Sequence, residues 1–306
     1  MKQQIIVSQL TTATRLDKFL VANLEKFSRS FIQQTIKQGK ILVNKKKVTV
    51  HHFLKNGDII SLNFSEPKPI SVIPTTKIPL EIIKETPDFL IINKPEGLVV
   101  HPAPGVNEPT LVDGLIVKFP KIKNLGEDPL RPGIVHRLDR DVSGLIIVAI
   151  TPAMFEHLKR QFKNHLIHKE YTGLVNGQVQ LPSGIIDFPL GRSRTKHGKI
   201  AARPKGGEGE PAITKFEVMQ KFTHTTLLKI QIITGRTHQI RAHLAAFGYP
   251  LVGDKIYKPT KIQTNKKIGR LFLHASYLEF TDLDGNQQKF SSPLPDELNL
   301  YLETLH

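Results

Sequence analysis

The segment GIVHRLDRDVSGLIIVA, residues 133–149, constrains the fold more than any other, because two arginines and two aspartates come directly before an apolar run. The run is short and rich in Ile and Val, which is typical of a strand that enters the core. An extended backbone through VHRLDRD would put Arg137 and Asp139 on one face and Leu138 on the other. The sequence therefore predicts a core strand with charged groups at its mouth.

Those charged groups allow several kinds of chemistry. An arginine beside Asp139 favours the ionised carboxylate. Such a carboxylate can be a nucleophile, a general base or a metal ligand. It can equally form an Arg–Asp pair that only closes a loop, and the segment alone does not decide between these interpretations.

Further strands and helices are predicted after residue 80. Strand patterns occur at DFLIINK, KEYTGLVNG, TKFEVMQKF, TTLLKIQIIT and RLFLHASYLEFT, and helix patterns at LVDGLIVKF, PAMFEHLKRQFKN and RTHQIRAHLAAF. Several consecutive strands lack regular helices between them. Residues 80–306 are therefore expected to form an α+β domain with a mixed, largely antiparallel sheet.

The N-terminal part of the chain has a different pattern. Residues 1–64 predict two short helices, at TRLDKFLVANLEKF and SRSFIQQTIKQG, followed by a basic β-hairpin. They carry 11 Lys and Arg against 3 Asp and Glu, so half of the chain's formal net charge of +16 lies in this fifth of its length. Residues 65–79 contain four prolines and are expected to be a linker. The sequence thus predicts a small N-terminal α/β domain, a linker and a larger domain.

Composition limits the classes of function. The excess of basic residues favours a polyanionic partner, since each neutralised phosphate releases counterions; the alternative is that the charge only keeps the protein soluble. The chain contains no cysteine, which excludes thiolate metal sites and thiol nucleophiles. No segment looks like a signal peptide or a membrane span, so we expect a cytoplasmic protein that does not bind membranes.

The N-terminal segments RLDKFL, SRSFIQQTIKQGKILVN and KNGDII resemble the small RNA-binding domain named after ribosomal protein S4. This resemblance implies that basic side chains of the second helix and the following turn contact RNA. An alternative is a solvated basic face without a partner. The residues that the resemblance assigns to RNA binding are Arg15, Arg29, Lys37, Lys40, Lys45, Lys46 and Lys47.

The rest of the chain resembles the large-subunit ribosomal RNA pseudouridine synthases. The segments that carry the resemblance are IINKPEGLVVHPAPG, RPGIVHRLDRDVSGLIIVA, HKEYTGLVNG, GRTHQIRAHLAAFGYPLVGDKIY and LFLHASYLEF, in the family's order. The resemblance implies an isomerase that detaches uracil from its ribose, turns it and rejoins it through C5. It implies no cofactor and no metal, and large-subunit ribosomal RNA as the partner.

The resemblance also implies roles for four residues. Asp139, in HRLD, would be the nucleophile, attacking C6 of the ring or C1′ of the ribose. Arg137 would accompany the flipped nucleotide, or alternatively serve as a structural partner of Asp139. Tyr171 would stack on uracil and could help to remove the C5 proton, although a lone Tyr in a strand is often core packing. Arg236 would pair with the catalytic aspartate.

Other residues receive predictions as well. Arg241 is expected to be a phosphate contact or a surface residue. The resemblance implies that Lys196 and Lys199, in a glycine-rich segment, could touch the RNA backbone; the alternative is an ordinary flexible loop. His136, His238 and His243 do not have zinc-site spacing and are expected to make structural hydrogen bonds. Alternatives to the ribosomal substrate are a transfer RNA or a non-catalytic role in ribosome assembly. We expect a monomer, since no oligomerisation seam is visible.

Overall fold

The protein is described by a computed structural model that covers residues 2–8, 10, 12–24, 27, 29–64, 78–103, 106, 108–193, 199–204, 206–258 and 268–306. The chain divides into two compact units, residues 1–69 and 70–306. The division falls within the proline-rich segment predicted as a linker, of which residues 65–77 lie outside the described part of the chain.

The N-terminal unit combines two short helices with small antiparallel sheets. Its elements are β1 (Lys2–Ile6), β2 (Thr14–Arg15), α1 (Leu16–Asn23), α2 (Arg29–Lys37), β3 (Ile41–Val43), β4 (Lys46–Lys47), β5 (Phe53–Leu54) and β6 (Ile59–Asn63). One sheet has the order β1-β6-β3-β4, and β2 pairs with β5. The apolar stripe predicted for α1 forms part of the core, because Leu16, Leu20 and Leu24 are buried and Phe19 packs against them.

The larger unit is built on a nine-stranded sheet. Its elements are β7 (Ile82–Glu85), β8 (Phe89–Lys94), α3 (Leu111–Lys118), a 3₁₀ turn (Pro120–Ile122), β9 (Ser143–Ala149), α4 (Pro152–Lys163), β10 (His168–Asn176), β11 (Ser183–Ile186), β12 (Leu190–Arg192), β13 (Ile200–Ala202), β14 (Thr214–Lys221), β15 (Thr225–Ile232), α5 (Gln239–Ala246), β16 (Leu273–Thr281), β17 (Gln287–Ser291) and α6 (Asp296–Glu303). The strands run in the order β11-β14-β15-β10-β16-β9-β8-β7, with β17 beside β16, while β12 and β13 form a separate hairpin. Among the described strands only β9 and β16 pair in parallel. The predicted α+β fold with a mixed, largely antiparallel sheet is therefore confirmed.

The apolar run after the charged segment is the centre of this sheet. All seven residues of β9 are buried, between β8 on one side and β16 on the other. A glycine allows the close approach to β16: Gly144 has φ 115°, and a Cβ there would lie 2.3 Å from the carbonyl oxygen of Ala275. β9 can therefore begin tightly against its parallel neighbour, which fixes where the preceding charged loop meets the sheet.

The charged loop itself differs from the extended conformation that the sequence suggested. Residues 135–142 form an irregular loop with a turn at 140–141, closed by a hydrogen bond from the Val142 amide to the Asp139 carbonyl at 3.1 Å. The predicted alternation nevertheless holds, since Arg137 is exposed and Leu138 is buried. The hydrophobic side chain of Leu138 anchors the loop in the core.

The sequence analysis did not predict the C-terminal helix α6. Its Leu298 and Tyr301 pack with Phe222 and Phe272 in a small apolar cluster apart from the main core.

In the part of the chain that the structure describes, none of the helices is long and apolar enough to cross a bilayer.

Candidate active site

Asp139 lies at the wall of a cavity of about 520 Å³ in the larger unit. Its side chain is 17% exposed, because Leu138 next to it is turned into the core and the carboxylate therefore faces outward from the loop. An isolated bridge between Ile134 and Val148 holds the start of the loop against β9. A carboxylate in this position can be reached from the cavity while its backbone is fixed at both ends.

Lys94 ties this loop to its neighbour. The lysine ends β8, is fully buried, and donates hydrogen bonds to the carbonyl oxygens of Pro95 (2.8 Å), Leu98 (2.9 Å) and Arg140 (3.1 Å). Burial lowers the pKa of Lys94 to about 7, against an opposing effect from the charge of Asp139. The ammonium group thus fixes the backbone next to Asp139, because it donates a hydrogen bond to the carbonyl oxygen of Arg140, the residue that follows Asp139.

Arg241, and not Arg236, contacts Asp139. Nη1 of Arg241 lies 3.3 Å from Oδ2 of Asp139. Its Nε and Nη2 also donate to the two carboxylate oxygens of Asp254, at 2.8 and 2.9 Å. Arg241 is 2% exposed, so the prediction of a surface residue is wrong. The residue lies within α5, whose inward face meets the charged loop, and this places its guanidinium between two carboxylates.

Asp254 holds the guanidinium of Arg241 in place. It is buried, and it also accepts hydrogen bonds from the amides of Ile256 (2.8 Å) and Tyr257 (2.9 Å). Burial by itself raises the pKa of Asp254, but hydrogen bonds from Arg241 and Tyr257 outweigh it and leave the pKa below its ordinary value. The charge on Asp254 opposes the loss of solvation at Arg241, so the pKa of Arg241 stays raised despite its burial.

Arg236 occupies a different position from the one predicted. Its side chain is 43% exposed, and Nη1 pairs with Oε2 of Glu210 at 2.8 Å. It lies in the turn before α5, where its amide donates to Oε1 of Gln239 at 3.0 Å. The prediction that Arg236 pairs with the aspartate is therefore wrong, because the turn directs its side chain toward Glu210. Arg236 still lines the cavity.

His238 is a second group near Asp139. Its Nε2 lies 3.8 Å from Oδ2 of Asp139, and its Nδ1 lies 3.3 Å from the hydroxyl of Tyr257. The residue has φ 54°, a left-handed conformation at the start of α5 that turns its ring toward the cavity. Burial lowers the pKa of His238, with the charge of Asp139 acting in the opposite sense. The ring is therefore held beside the carboxylate in its neutral form.

Tyr171 faces the same cavity from β10. It is 6% exposed and lines the cavity together with Asp139. Burial raises the pKa of Tyr171, and the charge of Asp139 raises it further. The phenol therefore stays protonated, and its ring offers an apolar surface next to the carboxylate. The sequence prediction that Tyr171 and Asp139 share one site is consistent with this placement.

Basic side chains line the cavity. Arg137 is exposed and has no hydrogen-bond or ion-pair partner among the described residues. Burial is the largest cause that lowers the pKa values of His101 and His238, and the charge of Arg137 acts in the same direction. Besides Arg137 and Arg241, the basic side chains that line the cavity are Arg131, Lys163, Lys169, Arg236, His101, His136, His165 and His238. A cavity with this lining favours an anionic ligand.

His136 and His243, the other two histidines that the sequence singled out, make hydrogen bonds within the fold. Nε2 of His136 accepts a hydrogen bond from the amide of Ile147 at 3.0 Å. His243 bonds Thr214 Oγ1 at 2.9 Å and the Phe188 carbonyl at 2.8 Å. Among the described residues no three His, Cys, Asp or Glu side chains come together in a group that could hold a metal ion.

The predicted RNA-binding residues have different environments. Lys37, Lys40, Lys45, Lys46 and Lys47 are exposed, whereas Arg15 forms a bidentate pair with the buried Asp17. Lys199 is half-buried with its ammonium 4.5 Å from the centre of the Tyr257 ring. Of Arg29 only the backbone, at the start of α2, is described, and Lys196 lies outside the described residues.

Comparison with known proteins identifies the family of this chain. A family model described as RNA pseudouridylate synthase matches residues 88–246, and an S4 domain model matches residues 14–60. The chain is 36% identical to an RNA pseudouridine synthase of Bacillus subtilis (strain 168), covering 98% of this chain and 97% of the relative. It is 33% identical to ribosomal large subunit pseudouridine synthase D of Zymomonas mobilis, covering 99% and 97%.

A solved structure agrees as well. Human RNA Pseudouridylate Synthase Domain Containing 1 matches with a TM-score of 0.58 and 26% identity, covering 76% of this chain and 87% of that one. The chain therefore belongs to the RNA pseudouridine synthases, isomerases that act on RNA, and it carries an N-terminal S4 domain. The family resemblance that the sequence motifs suggested is confirmed.

Sequence reasoning missed four residues of the site: Lys94, His238, Asp254 and the inward-facing Arg241. Two of them leave a trace in the sequence. Lys94 ends an otherwise apolar strand, FLIINK, where a charge is unexpected unless it has partners. Arg241 lies on a helix whose neighbouring residues Ile240 and Leu244 are core residues. The contact with Asp254 has no such trace, because the sequence does not show how the helix packs against the loop that follows 13 residues after Arg241.

Proposed function

We propose that the protein converts specific uridines of large-subunit ribosomal RNA into pseudouridine, with Asp139 as the nucleophile. One observation carries the proposal: a partly exposed carboxylate faces a cavity and has the guanidinium of Arg241 at 3.3 Å. The guanidinium supplies a compensating charge without covering the carboxylate. The ammonium group of Lys94 holds the backbone carbonyl of Arg140, the residue after Asp139, so the nucleophile is positioned before substrate arrives.

The reaction breaks the bond from N1 of uracil to C1′ of ribose, turns the base and forms a bond from C5 to C1′. Asp139 attacks either C6 of the ring or C1′ of the ribose, and holds one fragment while the base turns. Tyr171 provides a flat surface for the base and a protonated hydroxyl that stays uncharged. In the last step the bond to Asp139 breaks, C5 loses its proton and N1 takes up a proton, so the reaction is an isomerisation that consumes no cofactor.

The uridine must leave its stacked position to reach Asp139. Arg137 is exposed at the cavity and unpaired among the described residues, so its guanidinium is available to contact the strand that the base has left. Arg241 in this proposal replaces Arg236 as the partner of the nucleophile. Arg236 stays in the wall of the cavity, paired with Glu210.

Ribosomal RNA is proposed as the substrate on two grounds. Relatives that cover nearly the whole chain are named ribosomal large subunit pseudouridine synthase D. The S4 domain presents the exposed lysines of α2 and the β3–β4 turn, which suit a highly structured RNA. Transfer RNA is the alternative substrate. We expect the enzyme to act as a monomer in the cytoplasm.

The test is to map pseudouridines in ribosomal and transfer RNA from cells with and without the gene, and from deletion cells that express Asp139→Asn. Loss of one or more large-subunit sites in the deletion is expected, with restoration by the wild type and not by the variant. RNA binding by Asp139→Asn should persist, because the amide keeps the shape of the side chain. Sites lost only from transfer RNA would refute the ribosomal assignment, and restoration by the variant would refute the role of Asp139.

A further inference from the structure

Lys169 is a buried lysine that has no counter-ion in the part of the chain that the structure describes. It lies on β10, is 9% exposed and lines the cavity of the active site. Its ammonium has no hydrogen-bond or ion-pair partner among the described residues, in contrast to Lys94, whose three acceptors are all backbone carbonyls. Burial of an uncompensated charge lowers the stability of a protein. A lysine in this position is therefore expected to serve a function, such as binding a ligand.

The immediate neighbours of this ammonium are aromatic. Nζ of Lys169 lies 5.1 Å from the centre of the Phe162 ring, and that ring stacks on His136 at 4.9 Å. Burial lowers the pKa of Lys169 to about 8, so the side chain stays mostly protonated at neutral pH. The face of an aromatic ring attracts a cation but does not neutralise it. The positive charge is thus available to a ligand in the cavity.

The backbone places Lys169 and Tyr171 on the same face of β10. The two residues are two positions apart and both are buried, whereas His168 and Glu170 lie on the opposite face. Residues two positions apart on a strand are separated by about 6.6 Å along the backbone. The two side chains therefore leave the strand about one repeat apart, and the ammonium of Lys169 lies beside Gly235 in the turn that leads to α5.

We propose that Lys169 binds a phosphate of the extruded nucleotide, adjacent to the site where uracil lies between Asp139 and Tyr171. The inference rests on the proposed function, because it takes the nucleotide in the cavity to be a uridine of RNA. The phosphate group next to the reacting ribose carries a full negative charge that can compensate the buried ammonium. A uracil carbonyl is neutral and cannot.

This contact would give the enzyme a way to hold the extruded nucleotide by its backbone. The nucleotide loses stacking when it leaves the helix, and a charge-assisted hydrogen bond inside a partly closed cavity offsets part of that loss. Arg137 is exposed and can contact the part of the RNA strand that remains outside the cavity. The two cations would then act on different parts of the substrate.

The test compares binding of uridine, uridine 3′-monophosphate and uridine 5′-monophosphate to the full-length protein by nuclear magnetic resonance titration. The wild type should bind at least one monophosphate about tenfold more tightly than uridine. Lys169→Met should lose this preference and keep its affinity for uridine. The matched control is Lys221→Met, which removes an exposed lysine of β14 and should keep the preference.

A measurement on the wild type avoids dependence on the variant's folding. With lysine labelled at Cε, the pKa of Lys169 should rise when the preferred monophosphate binds and stay unchanged with uridine. No preference in the wild type, an unchanged preference in Lys169→Met, or an equal loss of affinity for uridine would each overturn the inference. An equal loss would show that the lysine contacts the base.

An activity assay separates this inference from the proposed function. RNA from cells without the gene is treated with the wild type or with Lys169→Met. If the wild type forms no pseudouridine, the proposed function fails, while the nucleotide titrations still decide whether Lys169 binds phosphate. If the wild type is active, Lys169→Met should reduce kcat/KM about tenfold or more, and an unchanged kcat/KM would overturn the inference.

Discussion

Two arginines in one short segment, GRTHQIR, have opposite environments in the structure. Arg241 is buried between Asp139 and Asp254, whereas Arg236 is paired with the exposed Glu210. The difference arises because Arg236 lies in the turn before α5 and Arg241 lies within the helix. A guanidinium with three of its nitrogens engaged has little freedom to move, so it can orient Asp139 as well as balance its charge.

This difference predicts unequal effects of the same substitution. Arg241→Lys should lower kcat by about 100-fold, because a lysine cannot contact both carboxylates with the same geometry. It should also lower the free energy of unfolding by roughly 1–3 kcal/mol, since the buried Asp254 loses part of its pairing. Steady-state kinetics and urea unfolding measure the two effects.

The control for that prediction is Arg236→Lys. This variant keeps the positive charge and changes only the contacts of an exposed side chain, the ion pair with Glu210 and a hydrogen bond to the Pro211 carbonyl at 3.4 Å. Both its kcat and its free energy of unfolding should therefore stay close to those of the wild type, within about 1 kcal/mol. A loss of activity in Arg236→Lys with normal activity in Arg241→Lys would contradict the assignment of Arg241 as the partner of Asp139.

At the scale of elements, the turn between β3 and β4 presents lysines. Asn44 and Lys45 have φ 51° and 63°, the left-handed pair of a tight hairpin turn. The Asn44 side chain stabilises the turn by donating to Oδ1 of Asp58 at 2.8 Å and accepting from the Ile59 amide at 2.9 Å. Lys45 and Lys46 are thereby held in solvent without disturbing the core.

We predict that the two lysines of this turn contribute measurably to RNA binding. Replacing Lys45 and Lys46 with Gln should weaken binding and reduce the slope of log affinity against log salt by about 1.5 in magnitude, as expected for two lost phosphate contacts. The control replaces Lys84 and Lys221, two exposed lysines of the larger unit, with Gln. An equal change of slope in both double variants would show that the turn has no special role.

At the scale of the whole molecule, three histidines with lowered pKa values make stability depend on pH. His101 is 3% exposed and His274 is fully buried. Burial, the largest cause, lowers the pKa of His101 and of His274 to about 4 and the pKa of His136 to about 3. In the unfolded chain each titrates near its ordinary pKa of about 6.5. The unfolded state therefore binds more protons between these values, and stability falls as the pH falls below about 6.5.

The expected size follows from each group. Lowering the pH from 7 to 5.5 should reduce the free energy of unfolding by about 1.2 kcal/mol for each of these three rings, and His274→Gln should remove about 1.2 kcal/mol of that dependence. Urea unfolding followed by circular dichroism measures both effects. His224→Gln, at an exposed position, should leave the dependence unchanged. The same free energy at both pH values in the wild type would contradict the burial of these rings in neutral form.

The sequence by itself determined much of this protein. Short-range periodicity predicted α1, α4 and the buried strand β9, because the apolar spacing of each element is local. The absence of cysteine excluded a thiol nucleophile, the motifs resembled those of a family of RNA-modifying enzymes, and the HRLD segment identified Asp139 as the residue to examine. Alternating burial at Arg137 and Leu138 also followed from sequence, even though the backbone there is a loop and not a strand.

Only the tertiary structure decided which groups meet. The contact of Asp139 with Arg241 joins positions 102 residues apart, and the pairing of Arg241 with Asp254 depends on how α5 packs against a later loop. The resemblance of the motif implied Arg236, since a sequence motif says nothing about the direction of a side chain in a turn. Tertiary packing likewise decides that the ammonium of Lys169 has no carboxylate beside it among the described residues. This depends on every element that surrounds the lysine, and the sequence does not show it.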